Sequence, residues 1–178
     1  MTLLQTQQDL GRAKNVLQDY LVRKLLIPKI YLDAEWNGEQ VDVLAIDRSG
    51  VGDVHAVRIF PIESSIRAAF VLFANPSLSG IEKFKSLPSH FRYIALVGDD
   101  PDARKINFAN EIIPPLFAED GVGRVGILYI NPNEYEPSPQ ILVKAERFRS
   151  SKEIVDLSDR FVAEHRANWE VRDEPDVA

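Results

Sequence analysis

The residues best suited to chemistry lie on two neighbouring, largely apolar segments, 41–47 and 54–60. The first segment carries Asp42, whose carboxylate is a ligand type that magnesium prefers. The second carries His55, which could bind a metal or act as a general base near neutral pH. Magnesium needs two or three converging carboxylates, so Asp42 requires further acids from elsewhere in the chain. For His55, a surface position on a strand is the interpretation that the sequence favours.

A second group of acids, Asp99, Asp100 and Asp102, follows the strongly apolar segment 91–98. In open α/β sheets, ligands gather at the carboxyl ends of the strands, so these carboxylates could bind magnesium. The same residues also suit the start of a helix, where aspartate and proline are both favoured. The sequence favours helix capping. We therefore expect no resident metal and no cofactor, and we keep the three aspartates as candidate binding residues.

The elements that must hold these residues begin with a helix and three strands. Residues 6–9, Thr-Gln-Gln-Asp, predict the cap of a helix that Pro28 ends. The three strands predicted next cover residues 29–36, 40–48 and 53–60. Their tight connections predict an antiparallel meander, with Val41, Val43 and Ala45 on one face.

Beyond residue 60 the predicted strands alternate with helices. Helices are expected over 62–75, over 79–87 and after Asp102, and strands over 91–98, 124–131 and 141–148. A last helix is capped by residues 150–153 and carries His165 and Trp169 on one face. This order predicts an α/β protein whose mixed central sheet has helices on both faces. We expect one domain over 1–171 and a disordered acidic tail over 172–178.

This order of elements resembles the core of the PD-(D/E)xK, or restriction-endonuclease-like, superfamily. The resemblance covers residues 9–98, from the first helix through the meander to the next apolar strand. Members of that family hold a metal-binding aspartate near the end of one strand. The next strand carries an acid, one intervening residue and a lysine. The resemblance therefore implies a nuclease-like scaffold in which acids converge on magnesium.

Carried onto this sequence, the resemblance places Asp42 at the metal-binding aspartate, Arg58 at the second acid and Phe60 at the lysine. In some relatives the first helix adds an acid ahead of a Tyr-Leu pair, and here Lys14 and Asn15 stand near that position. An arginine beside Asp42 would pair with its carboxylate and repel a dication. We therefore expect Asp42 to bond Arg58 or a backbone amide, in a vestigial site that has lost its catalysis.

The charge of the chain bears on the class of its partner. The 178 residues carry a formal net charge of −6, and the basic residues are spaced rather than clustered. Proteins that bind nucleic acid are usually basic, at least locally, so a protein partner or self-association is favoured over nucleic acid. The sequence has no cysteine, no apolar run of about 20 residues and no signal-peptide pattern, which predicts a cytoplasmic protein without membrane partners.

Three functions are compatible with these features. The first is a non-catalytic protein with a nuclease-like fold that acts as a binding or interaction module. The second is a nuclease or phosphate-handling enzyme with a relocated site at Asp42, at His55 or at residues 99–102. The third is a partner protein that self-associates through the edge strand 141–148 and the last helix. The sequence favours the first over the second and does not rank the first against the third.

Overall fold

A computed structural model of the chain describes residues 3–47, 52–62, 81–100, 102–103, 124–148 and 151–170. The helices expected over 62–75 and after Asp102 lie almost entirely outside these residues, and so does the tail expected over 172–178. Within the described part, no helix is both long enough and apolar enough to cross a membrane.

One mixed sheet organises the described chain. Its strands are β1 (Lys29–Trp36), β2 (Glu39–Ile46), β3 (Val54–Pro61), β4 (Phe91–Val97), β5 (Gly126–Ile130), β6 (Gln140–Val143) and β7 (Trp169–Glu170). They lie in the order β6-β5-β4-β3-β2-β1-β7. The first three strands form an antiparallel meander, whereas β3, β4 and β5 are parallel. The predicted mixed sheet with an N-terminal meander is therefore confirmed.

Helices pack on both faces of this sheet, as the sequence predicts. The described helices are α1 (Leu3–Arg23), α2 (Ile81–Lys85) and α3 (Lys152–Glu164). On one face, Ala13 and Leu17 of α1 are buried in a cluster with sheet residues that include Val57. On the other face, Phe161 of α3 packs edge-on against Trp36, with ring centroids 5.5 Å apart.

Two helix boundaries differ from the sequence prediction. Residues 6–9 do not cap α1, because the helix already includes Leu3. Asp9 therefore lies inside the helix, where its side chain is buried. The last helix has its predicted cap, since Ser151 Oγ accepts a hydrogen bond from the backbone N–H of Ile154. It ends earlier than predicted, however, so Trp169 lies on β7 and pairs with β1.

In both β1 and β2, the alternation of side chains between the two faces of the sheet shifts at the same point. Val43 and Ala45 pack on the α1 face, whereas Val41 packs on the α3 face. The expectation that all three share one face is therefore wrong. The cause is Asp33, which has a left-handed φ of 53° and lies opposite Asp42 between strand pairs whose register is unchanged. Such a residue rotates the chain and resets the alternation of side chains.

The edge strand expected over 141–148 is shorter than predicted. It pairs with β5 only as far as Val143, and a register shift leaves Leu142 as an extra residue. Beyond the strand, the backbone N–H of Phe148 donates to the carbonyl of His90 at 2.7 Å. The segment 144–148 therefore crosses the starts of neighbouring strands. A bulge on a short edge strand disfavours pairing with another sheet.

Candidate functional site

Asp42 stands where the pairing of β2 with β3 ends. The ladder runs from Ile46 opposite Val54 to Val43 opposite Val57 and stops there, although both strands continue. The backbone N–H of Ile59 donates to Asp42 Oδ2 at 2.7 Å. A carboxylate oxygen thus replaces the carbonyl that a continued ladder would supply. The expectation that Asp42 could bond a backbone amide is confirmed.

Lys14 is the cation beside Asp42. It lies on α1, and its ammonium hydrogen-bonds Asp33 Oδ1 and is 3.9 Å from Asp42 Oδ1. The Lys14 side chain is only 21% exposed. The phase change in β1 and β2 brings both aspartates to the α1 face, where the ammonium can reach them. One positive charge therefore lies between two carboxylates on neighbouring strands.

Arg58 does not form the predicted pair with Asp42. Within the part of the chain that the structure describes, its guanidinium has no ion pair with Asp42, and it lies 5.7 Å from the centroid of the Phe60 ring. Strand alternation explains the difference, because Val57 and Ile59 pack on the α1 face and Phe60 packs on the α3 face. Arg58 shares the face of Phe60, so the residues at the three positions that the resemblance assigns are divided between the two sides of the sheet.

These contacts decide what chemistry the site can do. Magnesium requires several carboxylate oxygens in a near-octahedral array. Among residues 3–47, 52–62, 81–100, 102–103, 124–148 and 151–170, no group of three or more His, Cys, Asp or Glu side chains is arranged to hold a metal. At Asp42 the space beside the carboxylate holds an ammonium and an amide. The Asp42 carboxylate is therefore engaged by a cation and by a backbone donor.

His55 is buried rather than exposed, which corrects the surface position favoured from the sequence. Its ring is nearly parallel to that of Phe91, with centroids 4.7 Å apart, and Tyr93 lies on β4 with its centroid at 6.5 Å. Burial lowers the pKa of His55 to about 4, although Asp53 and Asp47 oppose the shift. The ring is therefore neutral at pH 7. Its Nδ1 has no hydrogen-bond partner among the residues described.

His90 is a buried residue whose role the sequence did not reveal. The backbone N–H of Val54 donates to His90 Nδ1 at 2.9 Å, so the neutral ring carries its proton on Nε2. Burial lowers the pKa of His90, and the nearby charge of Asp53 partly opposes this. His90 immediately precedes β4 in the chain. Only the position of β3 beside β4 brings the ring to the Val54 amide.

Asp53 joins the segment 144–148 to the start of β3. Arg147 Nη2 donates to Asp53 Oδ1 at 2.5 Å, and Arg147 Nε lies 3.1 Å from the same oxygen. Burial alone would raise the pKa of Asp53, but the hydrogen bonds and charge of Arg147 bring it below its ordinary value. This pair and the Phe148–His90 backbone bond hold the segment in place.

Two of the three aspartates after β4, Asp99 and Asp100, accept hydrogen bonds through their carboxylates. Asp100 Oδ1 accepts from the backbone N–H of Asp102 at 2.9 Å, which is the contact of an Asx turn. Asp99 Oδ1 accepts from the side-chain amide of Asn131 at 3.1 Å. The Tyr129 hydroxyl bridges the chain by accepting from the Asp100 N–H and donating to the Gly98 carbonyl. The helix that these aspartates are expected to cap lies outside the described residues, so capping stays a prediction.

Comparison with known proteins adds a likeness of fold. No protein-family model matches the chain, and no curated protein matches it. Among solved structures, the chain is similar to the SPO1766 protein of unknown function from Silicibacter pomeroyi, with a TM-score of 0.51. The two chains are 17% identical, and the match covers 92% of this chain and 88% of the other. At this identity the likeness concerns the α/β fold alone.

Proposed function

We propose that this chain is a non-catalytic protein on a restriction-endonuclease-like scaffold and that it acts as a binding module for protein. The observation that carries the proposal is the position of Lys14. Its ammonium contacts Asp33 and lies 3.9 Å from Asp42, the residue that the resemblance assigns to metal binding. A resident cation already neutralises much of the charge that would attract a metal ion.

The scaffold part of the proposal rests on the order of elements around Asp42. A helix leads into an antiparallel meander, and Asp42 lies where the pairing of β2 with β3 stops. On β3, Arg58 and Phe60 occupy the positions that the resemblance assigns to an acid and a lysine. Their cation–π contact on the α3 face is a packing interaction. These features support a scaffold that keeps the topology without the catalytic residues.

The partner part of the proposal rests on electrostatics. A net charge of −6 opposes approach to a polyanion. Lys14 beside Asp42 contacts carboxylates, and Arg58 on β3 lies over an aromatic ring. A protein surface is therefore favoured over nucleic acid as the partner, and the lack of cysteine suits a reducing cytoplasm.

The direct test is a cleavage assay with single- and double-stranded DNA and RNA in magnesium or manganese. We expect no metal-dependent cleavage by the purified chain. Asp42→Ala is the matched control, because any contaminating nuclease would be indifferent to it. Cleavage that disappears in Asp42→Ala would overturn the proposal.

A second candidate function is an enzyme with a relocated site. It is favoured by one observation, which is that Lys14, Asp33 and Asp42 together supply a lysine and two acids at one point. The same assay separates the candidates. An enzyme of this kind would lose cleavage in Lys14→Met as well as in Asp42→Ala, whereas a binding module shows no cleavage to lose.

A further inference from the structure

Just beyond the end of α1, Leu26 combines a left-handed backbone conformation with an exposed side chain. Leu26 has a left-handed φ of 56°, and its side chain is 77% exposed. Glycine is the usual residue in this conformation after a helix, because a side chain there costs about 1 kcal/mol. The helix end is closed by the backbone N–H of Ile27, which donates to the carbonyl of Leu21 at 3.0 Å. A strained and exposed leucine is a candidate contact residue.

Other apolar side chains adjoin this position. Leu25 and Trp169 are 41% and 43% exposed. Val22 lies in the last turn of α1, which ends at Arg23, and Leu25 and Leu26 lie just beyond that end. Val22 and Trp169 both line a surface groove of about 250 Å³. We refer to Val22, Leu25, Leu26 and Trp169 as the Leu26 surface.

The charges around the groove are self-complementary. Asp19 and Arg23 also line it, and Arg23 Nε lies 2.6 Å from Asp19 Oδ1 within the same helix. Two such helices packed antiparallel about a twofold axis would bring Asp19 of each copy to Arg23 of the other. A twofold contact requires this kind of match, because the same patch serves on both sides.

We propose that the Leu26 surface is where two copies of this chain associate, with their α1 helices antiparallel. The inference names a partner for the binding role proposed above and rests on that role. The sheet edges are the weaker alternative in the described part, because β6 is bulged at Leu142 and β7 has only two residues. The Leu26 surface lies beside the end of α1 and carries an acidic and a basic side chain, so contact there depends neither on a bulged strand nor on a two-residue strand.

A charge-swap experiment tests the geometry. Sedimentation of the full chain at micromolar concentrations measures the dimer Kd for the wild type, Asp19→Arg, Arg23→Asp and the double variant. Each single variant sets like charges against each other twice across the axis, so we expect its Kd to rise at least about tenfold. The double variant restores opposite charges and should return to the wild-type Kd. A double variant as weak as the single variants would overturn the antiparallel arrangement.

Leu26→Gly separates an interface role from a structural one. Glycine removes the strain, so we expect a higher melting temperature of the monomer, and it removes an apolar contact, so we expect a weaker dimer. Higher stability with unchanged association would overturn the role of Leu26. Because the variant is expected to be more stable than the wild type, weaker association could not be attributed to unfolding.

Cross-linking gives an independent check, because the natural chain has no cysteine. Because the proposed pairing sets Asp19 against Arg23 of the other copy, the twofold axis passes near residue 21. Val22→Cys therefore brings two thiols close together and should form a disulfide-linked dimer under mild oxidation. Val155→Cys, an exposed position on α3, is the matched control and should not. A wild type that stays monomeric at the highest attainable concentration would overturn this inference. The cleavage assay tests the proposed non-catalytic role separately.

Discussion

The carboxylate of Asp42 accepts a hydrogen bond from the backbone N–H of Ile59 at 2.7 Å, at the point where β2 and β3 stop pairing. This bond satisfies a partly buried amide that no longer has a strand partner. It also holds the carboxylate in an orientation set by the backbone of β3. The Asp42 side chain therefore has a structural role that does not depend on any ligand.

Asp42→Ala should lower the free energy of unfolding by about 1–3 kcal/mol, because it leaves the Ile59 amide without an acceptor. Asp42→Asn keeps an acceptor oxygen and should cost less. Asp33→Asn is the matched control, since it weakens the Lys14 contact but leaves the Ile59 bond intact, and it should cost under about 1 kcal/mol. Urea denaturation measures all three. Equal losses for Asp42→Ala and Asp33→Asn would contradict this account.

The melting temperature of the wild type should not change with magnesium. Lys14 lies beside Asp33 and Asp42, and Asp99 and Asp100 accept bonds from neighbouring groups. Lys14→Glu should instead melt lower without metal and gain stability with magnesium, because it replaces the ammonium with a third carboxylate. Stabilisation of about 2.7 kcal/mol corresponds to a hundredfold excess of metal over Kd.

Lys14→Met is the control for this experiment, since it removes the cation without adding a ligand. If magnesium raises the melting temperature of the wild type, and this effect vanishes when Asp99, Asp100 and Asp102 are changed to asparagine, the result would support a metal site after β4. A response that vanishes in Asp42→Asn would instead place the metal at the end of the β2–β3 ladder.

His55 should make stability depend on pH. The unfolded chain protonates this histidine near its ordinary pKa of 6.5, whereas the folded chain protonates it only near pH 4. The unfolded state therefore binds more protons between these values. Stability is fully present above pH 6.5 and should fall by about 3 kcal/mol as the pH drops toward 4.

His55→Phe should flatten this pH profile, measured as the free energy of unfolding between pH 7 and pH 4.5. The pKa of His90 is also lowered by burial, so a smaller slope of the same sign should remain. His165→Gln, which changes an exposed histidine at the end of α3, controls for the loss of a histidine. An unchanged slope in His55→Phe would show that the burial of His55 does not control this dependence.

Gly126→Ala should destabilise the protein, because a Cβ there would lie 2.6 Å from Tyr93 Cδ1 and 2.8 Å from the backbone nitrogen of Ala145. The segment 144–148 cannot move away without breaking the hydrogen bonds that the backbone N–H groups of Glu146 and Phe148 donate to the carbonyls of Arg124 and His90. Gly11→Ala on α1 is the contrasting control, since nothing lies within 4 Å of its added Cβ. That change should stabilise the helix by about 1 kcal/mol. Thermal unfolding of both variants should show opposite shifts.

The sequence alone predicts the meander because the patterns that specify it are local. Alternating apolar residues specify the strands, and Asn37-Gly38 takes the left-handed φ values of 52° and 79° that a tight hairpin turn needs. The cap of α3 at Ser151 is local as well. Each depends on residues within a few positions of one another, so a sequence pattern can reveal it.

The composition of the candidate site was decided only by the tertiary structure. The ammonium of Lys14 reaches Asp33 and Asp42 because both side chains lie on the α1 face. They lie there because the side-chain alternation shifts at Asp33, which has a left-handed φ. His55 is buried because β4 places Phe91 directly opposite it. These contacts join residues on separate elements, and their geometry depends on how the sheet and helix pack. Local pattern determined which strands form, and long-range packing determined which side chains share a face and which charges they meet.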